Sequence, residues 1–126
     1  MTLDTIIDTD INIVIHTAYG KFGPDDVKHI LDGLRTHPDF KKDMNVVWDF
    51  REVSDINFSA DELKRIVEYT GDHLSHRNPD YKLAMVTDND LIFGLARMFM
   101  AYCEHLPINI MILRTLDEAI EWVQKG

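Results

Sequence analysis

The sequence has a single cysteine, Cys103, which excludes an internal disulfide. It also has no excess of basic residues: 13 lysines and arginines stand against 22 acidic residues, and the net charge is -9 at pH 7. Nucleic-acid binding needs a basic footprint, so we expect no nucleic-acid partner. Attraction to anionic lipid is excluded for the same reason, and any membrane contact must be hydrophobic. A lone cysteine suits a reducing compartment, and we expect a cytoplasmic protein.

Targeting signals and ligand-binding motifs are also missing. Met1–Asp4 shows no basic region followed by an apolar run, so we expect no signal peptide. Gly20–Gly23 lacks the spacing of a phosphate-binding loop. The six histidines are His16, His29, His37, His73, His76 and His105. No local spacing around them completes a metal site, and we expect them to be solvated surface residues. No metal and no cofactor is predicted.

The pattern of apolar residues predicts one α/β domain over residues 1–126, with the element order β-β-α-β-α-β-α-β-α. The predicted strands are 3–8, 11–18, 45–50, 81–87 and 108–113. Predicted helices run from Pro24 to near His37, over 60–74 and 91–106, and from Leu116 to Val123. A hairpin-sized gap joins the first two strands, so we expect them to pair antiparallel. The remaining alternation predicts parallel strands with right-handed crossovers.

The helix predicted over residues 91–106 has far more apolar surface than it needs. Its apolar arc spans roughly 240°, whereas a core-facing helix needs little more than 100°. Phe93 and Met100 are expected at the outer side of this arc, and Leu95 on its inner stripe. Cys103 lies within the arc, so we expect a buried, inert thiol. The surplus surface must contact a helix, a partner chain, an apolar ligand or a membrane.

Polar residues cluster where the predicted strands end, which is where open α/β sheets bind ligands. They are Asp49, Arg51, Thr87, Asp88, Asn89, Arg114 and Thr115. Each of them, taken alone, is explained by the polar and capping character of loop ends. No pair has a spacing that dictates acid–base chemistry, and we therefore predict that the protein is not an enzyme.

Two stretches resemble the SpoIIAA-like (STAS-type) family: Val46–Val53, followed by a capped helix, and Leu91–Met98. The resemblance extends from Ile11 to Val123 and is nearest to stand-alone bacterial members. It implies a SpoIIAA-like βα superhelix, with a mostly parallel sheet and an antiparallel first strand. This fold is related to the C-terminal part of CRAL-TRIO lipid-binding domains. Functions in the family range from a phosphorylatable anti-sigma-factor antagonist to the binding of small or lipid-like molecules.

The resemblance places a regulatory serine near Ser59, at the start of the helix after the third strand. The family motif is similar to Asp-Ser-Ser-Gly, but its glycine and paired serine are missing from Asp55–Asp61. Asp61 and Glu62 would also repel a phosphate at this helix start. Ser59 and Glu62 match a capping box, so we favour a capping role for Ser59 over a regulatory one.

The leading hypothesis is a non-enzymatic binding domain for a hydrophobic or lipid-like small molecule. Helix 91–106 would dock transiently on the membrane, placing the protein at the periphery of the inner membrane as well as in the cytoplasm. The alternative is a signalling protein of the anti-sigma-factor-antagonist type that acts through protein–protein contact. A homodimer is expected to cover part of the apolar arc. The residues assigned to ligand or membrane binding are Ile92, Phe93, Ala96, Met98, Phe99, Met100 and Cys103.

Overall fold

The computed structural model describes residues 3–125. Two strands come first, and four helices then alternate with three further strands. The strands are β1 (Leu3–Asp8), β2 (Ile13–Phe22), β3 (Asn45–Ile56), β4 (Tyr81–Val86) and β5 (Ile108–Leu113). The helices are α1 (Pro24–Thr36), α2 (Ala60–Asp72), α3 (Asp90–Tyr102) and α4 (Leu116–Gln124), and a short 3₁₀ turn covers Leu74–His76. The predicted element order is confirmed.

The five strands form one sheet in the order β1-β2-β3-β4-β5. β1 pairs antiparallel with β2, and every other neighbouring pair is parallel. This confirms the predicted fold class. The register aligns His16, Trp48, Met85 and Ile112 in one row across four strands. Because side chains alternate between the faces of a strand, these four residues belong to the same face of the sheet.

The two faces of the sheet are covered by different helices. α4 lies directly on β3, β4 and β5 and closes a small core around Val47, Ala84 and Val86. The opposite face carries the larger core, to which α1, α2 and α3 contribute. α2 lies beside α1 and α3. Its buried residues Leu63, Ile66 and Val67 belong to the same core as Trp48 and Phe50 of the sheet.

Two strands are longer than the sequence predicts. β2 continues to Phe22 and β3 continues to Ile56, and these two residues are paired in the sheet. The predicted strands end at Ala18 and Phe50. Gly20 has φ of +63°, and the β2–β3 register shifts on either side of it. A glycine inside a strand commonly marks such an irregularity, which lets pairing continue beyond it.

The apolar helix is shorter than predicted, since α3 ends at Tyr102 instead of Leu106. The amide of Cys103 still bonds to the carbonyl of Phe99, but the following residues form turns. The amides of Glu104 and Leu106 bond to carbonyls three residues back, and Pro107 disfavours a helical conformation at Leu106. The 3₁₀ turn over Leu74–His76 was not predicted and ends the α2 region.

Side-chain caps mark the start of α2, α3 and α4. The carboxamide oxygen of Asn89 accepts hydrogen bonds from the amides of Leu91 (2.9 Å) and Ile92 (3.2 Å) at the start of α3. The hydroxyl of Thr115 accepts from the amide of Glu118 (3.2 Å) at the start of α4. Such caps satisfy backbone donors that have no partner within the helix. Ile92, in the first turn of α3, is buried in the larger core.

Candidate functional site

A cavity of about 80 Å³ lies between the sheet and helices α1, α2 and α3, and we call it the main cavity. Residues from all four of these elements, and from the segments that join them, form its walls. They are His16, Phe22, Val27, Leu31, Leu34, Val46, Trp48, Phe50, Ile56, Phe58, Leu63, Ile66, Thr70, Arg77, Tyr81, Leu83, Met85, Ile92, Leu95, Ala96 and Phe99. All but a few of these side chains are apolar, which is typical of sites that hold small apolar ligands.

An aromatic group forms the sheet side of the main cavity. The ring of Trp48 stacks on that of Phe50, with centroids 5.8 Å apart. Phe22 contacts Phe50 edge-on at 5.2 Å, and Phe58 lies 6.0 Å from Phe22. These separations lie in the range that aromatic pairs favour. The wall is therefore well packed, and the free space lies between it and the helices.

The wall exists because β2 and β3 are apolar on both faces. In β3, Val46, Trp48 and Phe50 face the main cavity, whereas Val47 belongs to the core under α4. Strands covered on both sides show such continuous apolar runs. The sequence pattern of residues 45–50 predicts this burial, but it leaves open which face meets a cavity.

The main cavity reaches the surface. Six of its lining residues are only half-buried: Val27, Leu31, Ile56, Phe58, Arg77 and Leu95. Four of them belong to the end of β3, to the segment directly after it, or to the first half of a helix that follows a strand: Ile56, Phe58, Val27 and Leu95. They therefore lie toward the carboxyl ends of the parallel strands. This is the edge at which open α/β sheets bind their ligands.

Three polar residues interrupt the apolar lining, and two of them are satisfied within the protein. His16 is 1% exposed, and its Nδ1 lies 2.9 Å from the hydroxyl of Thr5. Burial, assisted by the positive charge of Arg77, lowers the pKa of His16 to about 3. Thr70 donates its hydroxyl proton to the carbonyl of Ile66 at 2.8 Å.

Arg77 is the third polar residue, and it is only partly satisfied. Its Nη2 donates to the carbonyl of Met44, and its guanidinium lies 3.8 Å from the centroid of the Tyr81 ring and 5.0 Å from that of Phe40. Its Nε is buried without a hydrogen-bond partner, the only side-chain nitrogen or oxygen in this state among residues 3–125. Burial lowers the pKa of Arg77. A buried donor without a partner is costly, so this group calls for an explanation.

A second space of about 20 Å³, the small cavity, adjoins the main one. Leu31, Leu34, Thr70, Arg77 and Tyr81 line both. The other residues that line the small cavity are Arg35, Phe40, His73, Leu74 and His76. Arg77 therefore belongs to the walls of both cavities. No sequence signal marked it, because a lone arginine after a helix normally lies in solvent.

The seven residues assigned to ligand or membrane binding from the sequence divide into two groups. Ile92, Ala96 and Phe99 are buried in α3 and line the main cavity. The other four do not belong to that lining: they are Phe93, Met98 and Met100 of α3, and Cys103 at its C-cap.

Phe93 and Met100 were expected at the outer side of the helix, but both are half-buried. The guanidinium of Arg114 covers the ring of Phe93 at 4.2 Å, at the end of β5. Leu91 and Met98 are the outward residues instead, with 67% and 39% of their surface exposed. The apolar arc is thus divided between the core, the β5 side and a solvent-facing strip.

The thiol of Cys103 is buried in the larger core, as predicted. Burial raises its pKa to about 12. Because the thiolate is the reactive form, such a group is a poor nucleophile near neutral pH. This agrees with the expectation of an inert thiol and gives Cys103 a packing role.

Ser59 forms the predicted capping box at the start of α2. Its hydroxyl accepts a hydrogen bond from the amide of Glu62 at 3.1 Å, and the carboxylate of Glu62 accepts from the amide of Ser59 at 2.9 Å. These bonds lower the pKa of Glu62. The hydroxyl is therefore occupied as a cap, and a negative carboxylate lies beside it.

The polar residues at the strand ends also have structural roles. Arg51 makes two hydrogen bonds to the buried carboxylate of Asp49, from Nε at 2.9 Å and from Nη2 at 2.8 Å. The hydroxyl of Thr87 accepts from the amide of Asn89 at 3.1 Å, and Arg114 approaches Asp90 at 3.4 Å. Because β3 extends to Ile56, Asp49 lies within a strand instead of at its end.

The expectation of solvated histidines is wrong for two of the six. His16 is enclosed in the core, and His73 is 9% exposed, with Nε2 at 3.1 Å from Asp32 and Nδ1 at 2.9 Å from the carbonyl of Tyr69. His16 shares a strand face with Val14 and Ala18, so its position in the alternation was a usable signal. In the described part of the chain, histidine, cysteine and acidic residues form no group of three that could hold a metal.

None of the helices within residues 3–125 combines the length and the apolar character that crossing a membrane requires.

Comparison with known proteins agrees with this architecture. Among solved structures, the chain is similar to an uncharacterised protein with a SpoIIAA-like fold from Shewanella loihica PV-4. The TM-score is 0.59 at 13% identity, covering 96% of this chain and 91% of that one. It is also similar to the anti-sigma factor antagonist SpoIIAA in its unphosphorylated form, with a TM-score of 0.58 and 13% identity over 98% and 99% of the two chains. A search of curated proteins gave no significant match.

The likeness to solved structures concerns the fold alone, because the identities are low. A family model provides the sequence evidence: it matches residues 13–124, which is nearly the entire chain. The match includes all four helices and every strand except β1. The chain belongs to the SpoIIAA-like family.

Proposed function

We propose that this protein is a non-catalytic binding domain that takes up an apolar small molecule in the main cavity. One observation carries the proposal: the space between the sheet and helices α1–α3 is lined almost entirely by apolar and aromatic side chains and opens at the carboxyl edge of the sheet. Apolar cavities of this kind stay dry and accept apolar guests. Ile92, Ala96 and Phe99 are the α3 residues that would contact the ligand.

The size of the main cavity limits the ligand. Its volume of about 80 Å³ is roughly half that of an engineered apolar cavity of about 150 Å³ that accepts benzene. A short hydrocarbon segment fits without rearrangement, whereas a longer chain must extend through the mouth or displace a helix.

The protein contains a built-in reporter for this site. Trp48 lines the main cavity, and the other tryptophan, Trp122, packs against the core on the opposite face. In a Trp122→Phe background, the fluorescence of Trp48 can be followed during titration with 1-hexanol and 1-octanol. Binding should change the emission saturably, and the longer alcohol should bind more tightly because each buried methylene contributes about 0.8 kcal/mol.

A matched pair of substitutions on α3 tests the location. Ala96→Leu places a larger side chain in the cavity wall, whereas Ala101→Leu adds the same atoms on the exposed side. Ala96→Leu should abolish the fluorescence response and leave the fold intact, and Ala101→Leu should retain the response. A linear, unsaturable response of the parent, or equal binding by both variants, would refute the proposal.

A second candidate is regulation through a protein partner. Two observations favour it: the likeness to the antagonist SpoIIAA, and the exposed strip formed by Leu91 and Met98. The same strip supports transient contact with a membrane surface or with a second copy of the chain, since exposed apolar patches mark contact sites. A phosphorylation switch at Ser59 would require the capping box to open, because its hydroxyl serves as the cap of α2.

A further inference from the structure

We propose that the ligand of the main cavity is an amphipathic carboxylate, whose acyl chain occupies the cavity and whose carboxylate binds the guanidinium of Arg77. This inference rests on the proposed function and adds the chemical class of the ligand. It starts from the unpartnered Nε of Arg77, in a side chain that lines both the main and the small cavity.

The charge of Arg77 lacks a partner of opposite sign. The ion pairs within residues 3–125 are Arg51–Asp49, His73–Asp32 and Arg114–Asp90, and none involves Arg77. Its contacts are a backbone carbonyl and two aromatic rings. Arg77 is half-buried as a residue, but its Nε is buried without a partner, and a bound anion would satisfy that donor and offset the cost of partly desolvating the charge.

The geometry of an arginine suits a carboxylate. Hydrogen bonds from a guanidinium to a carboxylate are charge-assisted and therefore among the stronger ones. Here Nη2 is engaged with the carbonyl of Met44, while Nε has no partner and can donate to one carboxylate oxygen. The guanidinium also lies close to the rings of Tyr81 and Phe40, which restrict its movement.

The surroundings of Arg77 also favour an anion of small size. The small cavity is lined by Arg35, His73 and His76 besides Arg77, in a protein with a net charge of -9. The nearby carboxylate of Asp32 accepts hydrogen bonds from Tyr69 and His73. The small cavity has a volume of about 20 Å³, which fits a carboxylate better than a bulky headgroup.

The test compares ligands that share a chain and differ in the head. Octanoate, 1-octanol and octylamine are titrated into the Trp122→Phe protein, each below its aggregation limit. A charge-assisted bond to a buried cation should make octanoate bind about 10- to 100-fold more tightly than 1-octanol, and octylamine should bind least. Equal binding of octanoate and 1-octanol would overturn the inference and leave the proposed function standing. If none of the three probes binds, both proposals fail.

Three variants assign the effect to Arg77. Arg77→Met keeps a long side chain in the wall without the charge, and it should bind octanoate no better than 1-octanol. Arg77→Lys keeps the charge and should retain a reduced preference for octanoate, which separates loss of charge from loss of fold. Arg65→Met removes an exposed arginine of α2 that lies outside both linings and should behave as the parent. A preference for octanoate that persists in Arg77→Met would contradict the assignment.

Discussion

His16 and Trp48 are paired on neighbouring strands, and their ring centroids lie 4.9 Å apart at an interplanar angle of 55°. Both line the main cavity. The neutral imidazole thus forms part of the same aromatic wall as Phe50. Because burial and the charge of Arg77 oppose protonation, the pKa of His16 falls to about 3 in the folded protein.

This pKa makes stability depend on pH. In the unfolded chain His16 binds a proton below about pH 6.5, whereas the folded protein excludes it until about pH 3. Between about pH 6.5 and about pH 3 the unfolded chain binds a proton at His16 that the folded protein does not bind, so the free energy of unfolding falls as the pH falls. From about pH 6.5 to about pH 4, His16 alone should account for a loss of about 3 kcal/mol.

Urea denaturation of the parent and of His16→Gln across this range isolates the effect. Altered packing shifts the free energy of unfolding of His16→Gln by a similar amount at every pH. As the pH falls, however, the free energy of unfolding of this variant should decline less steeply than that of the parent. His29→Gln, which changes an exposed histidine of α1, serves as the control and should follow the parent. Parallel curves for the parent and His16→Gln would show that His16 is not the group responsible.

The capping box of α2 predicts the response to substitution of Ser59. Ser59→Ala should lower the free energy of unfolding by about 1 kcal/mol, because the amide of Glu62 loses its acceptor. Ser59→Asp should be nearly neutral, since aspartate also caps helices. Chemical denaturation measures both. Stoichiometric phosphate on Ser59 in protein isolated from its native cell would establish a switch in place of a purely structural cap.

The outward strip of α3 should contribute to contacts and not to folding. Because Leu91 and Met98 are exposed, Leu91→Gln combined with Met98→Gln should change stability by less than about 1 kcal/mol. The same double variant should lose association with neutral phosphatidylcholine vesicles. Phe99→Ala, by contrast, should cost about 3 kcal/mol or more, since Phe99 is buried. If the double variant binds vesicles as well as the parent, the strip is not a membrane contact.

The same double variant tests the homodimer that the sequence predicts. Light scattering of dilute parent protein should give about twice the 14.6 kDa chain mass, and the double variant should give the chain mass. A monomeric parent at micromolar concentration would remove the partner-chain explanation for the exposed strip. A dimer that survives both substitutions would place the interface elsewhere.

Burial of Cys103 should make it unreactive while the protein is folded. With its pKa raised to about 12, the thiol should react with an aromatic disulfide reagent at pH 8 far more slowly than in urea, where it is exposed. The rate is followed by the absorbance of the released thiolate. Equally fast reaction in the folded state would mean that the region after α3 opens readily.

The fold is largely predictable from the sequence because each element carries its own local signal. The capping box of Ser59 and the apolar period of α2 depend only on neighbouring residues. The ends of strands are less predictable, because they depend on pairing between distant parts of the chain. The second strand was predicted to end at Ala18, yet pairing of Phe22 with Ile56 extends the sheet past Gly20.

The candidate site was predictable only in part. The period of α3 indicated that Ile92, Ala96 and Phe99 share a face, and these three residues line the main cavity. The same period could not distinguish the solvent side from the β5 side, so Phe93 and Met100 were placed too far outward. That distinction depends on where Arg114 lies relative to α3, which is a long-range contact.

The sequence by itself determined the α/β class, the order of elements, the caps and the surplus of apolar surface, because hydrophobic period and capping chemistry act over a few residues. Only the tertiary structure decided that α4 covers one face of the sheet while α1, α2 and α3 cover the other, with a cavity beneath them. It also decided that His16 and Arg77 both line that cavity. The chain brings them together across 61 positions of sequence, and packing between distant segments leaves no local pattern from which such a meeting could be predicted.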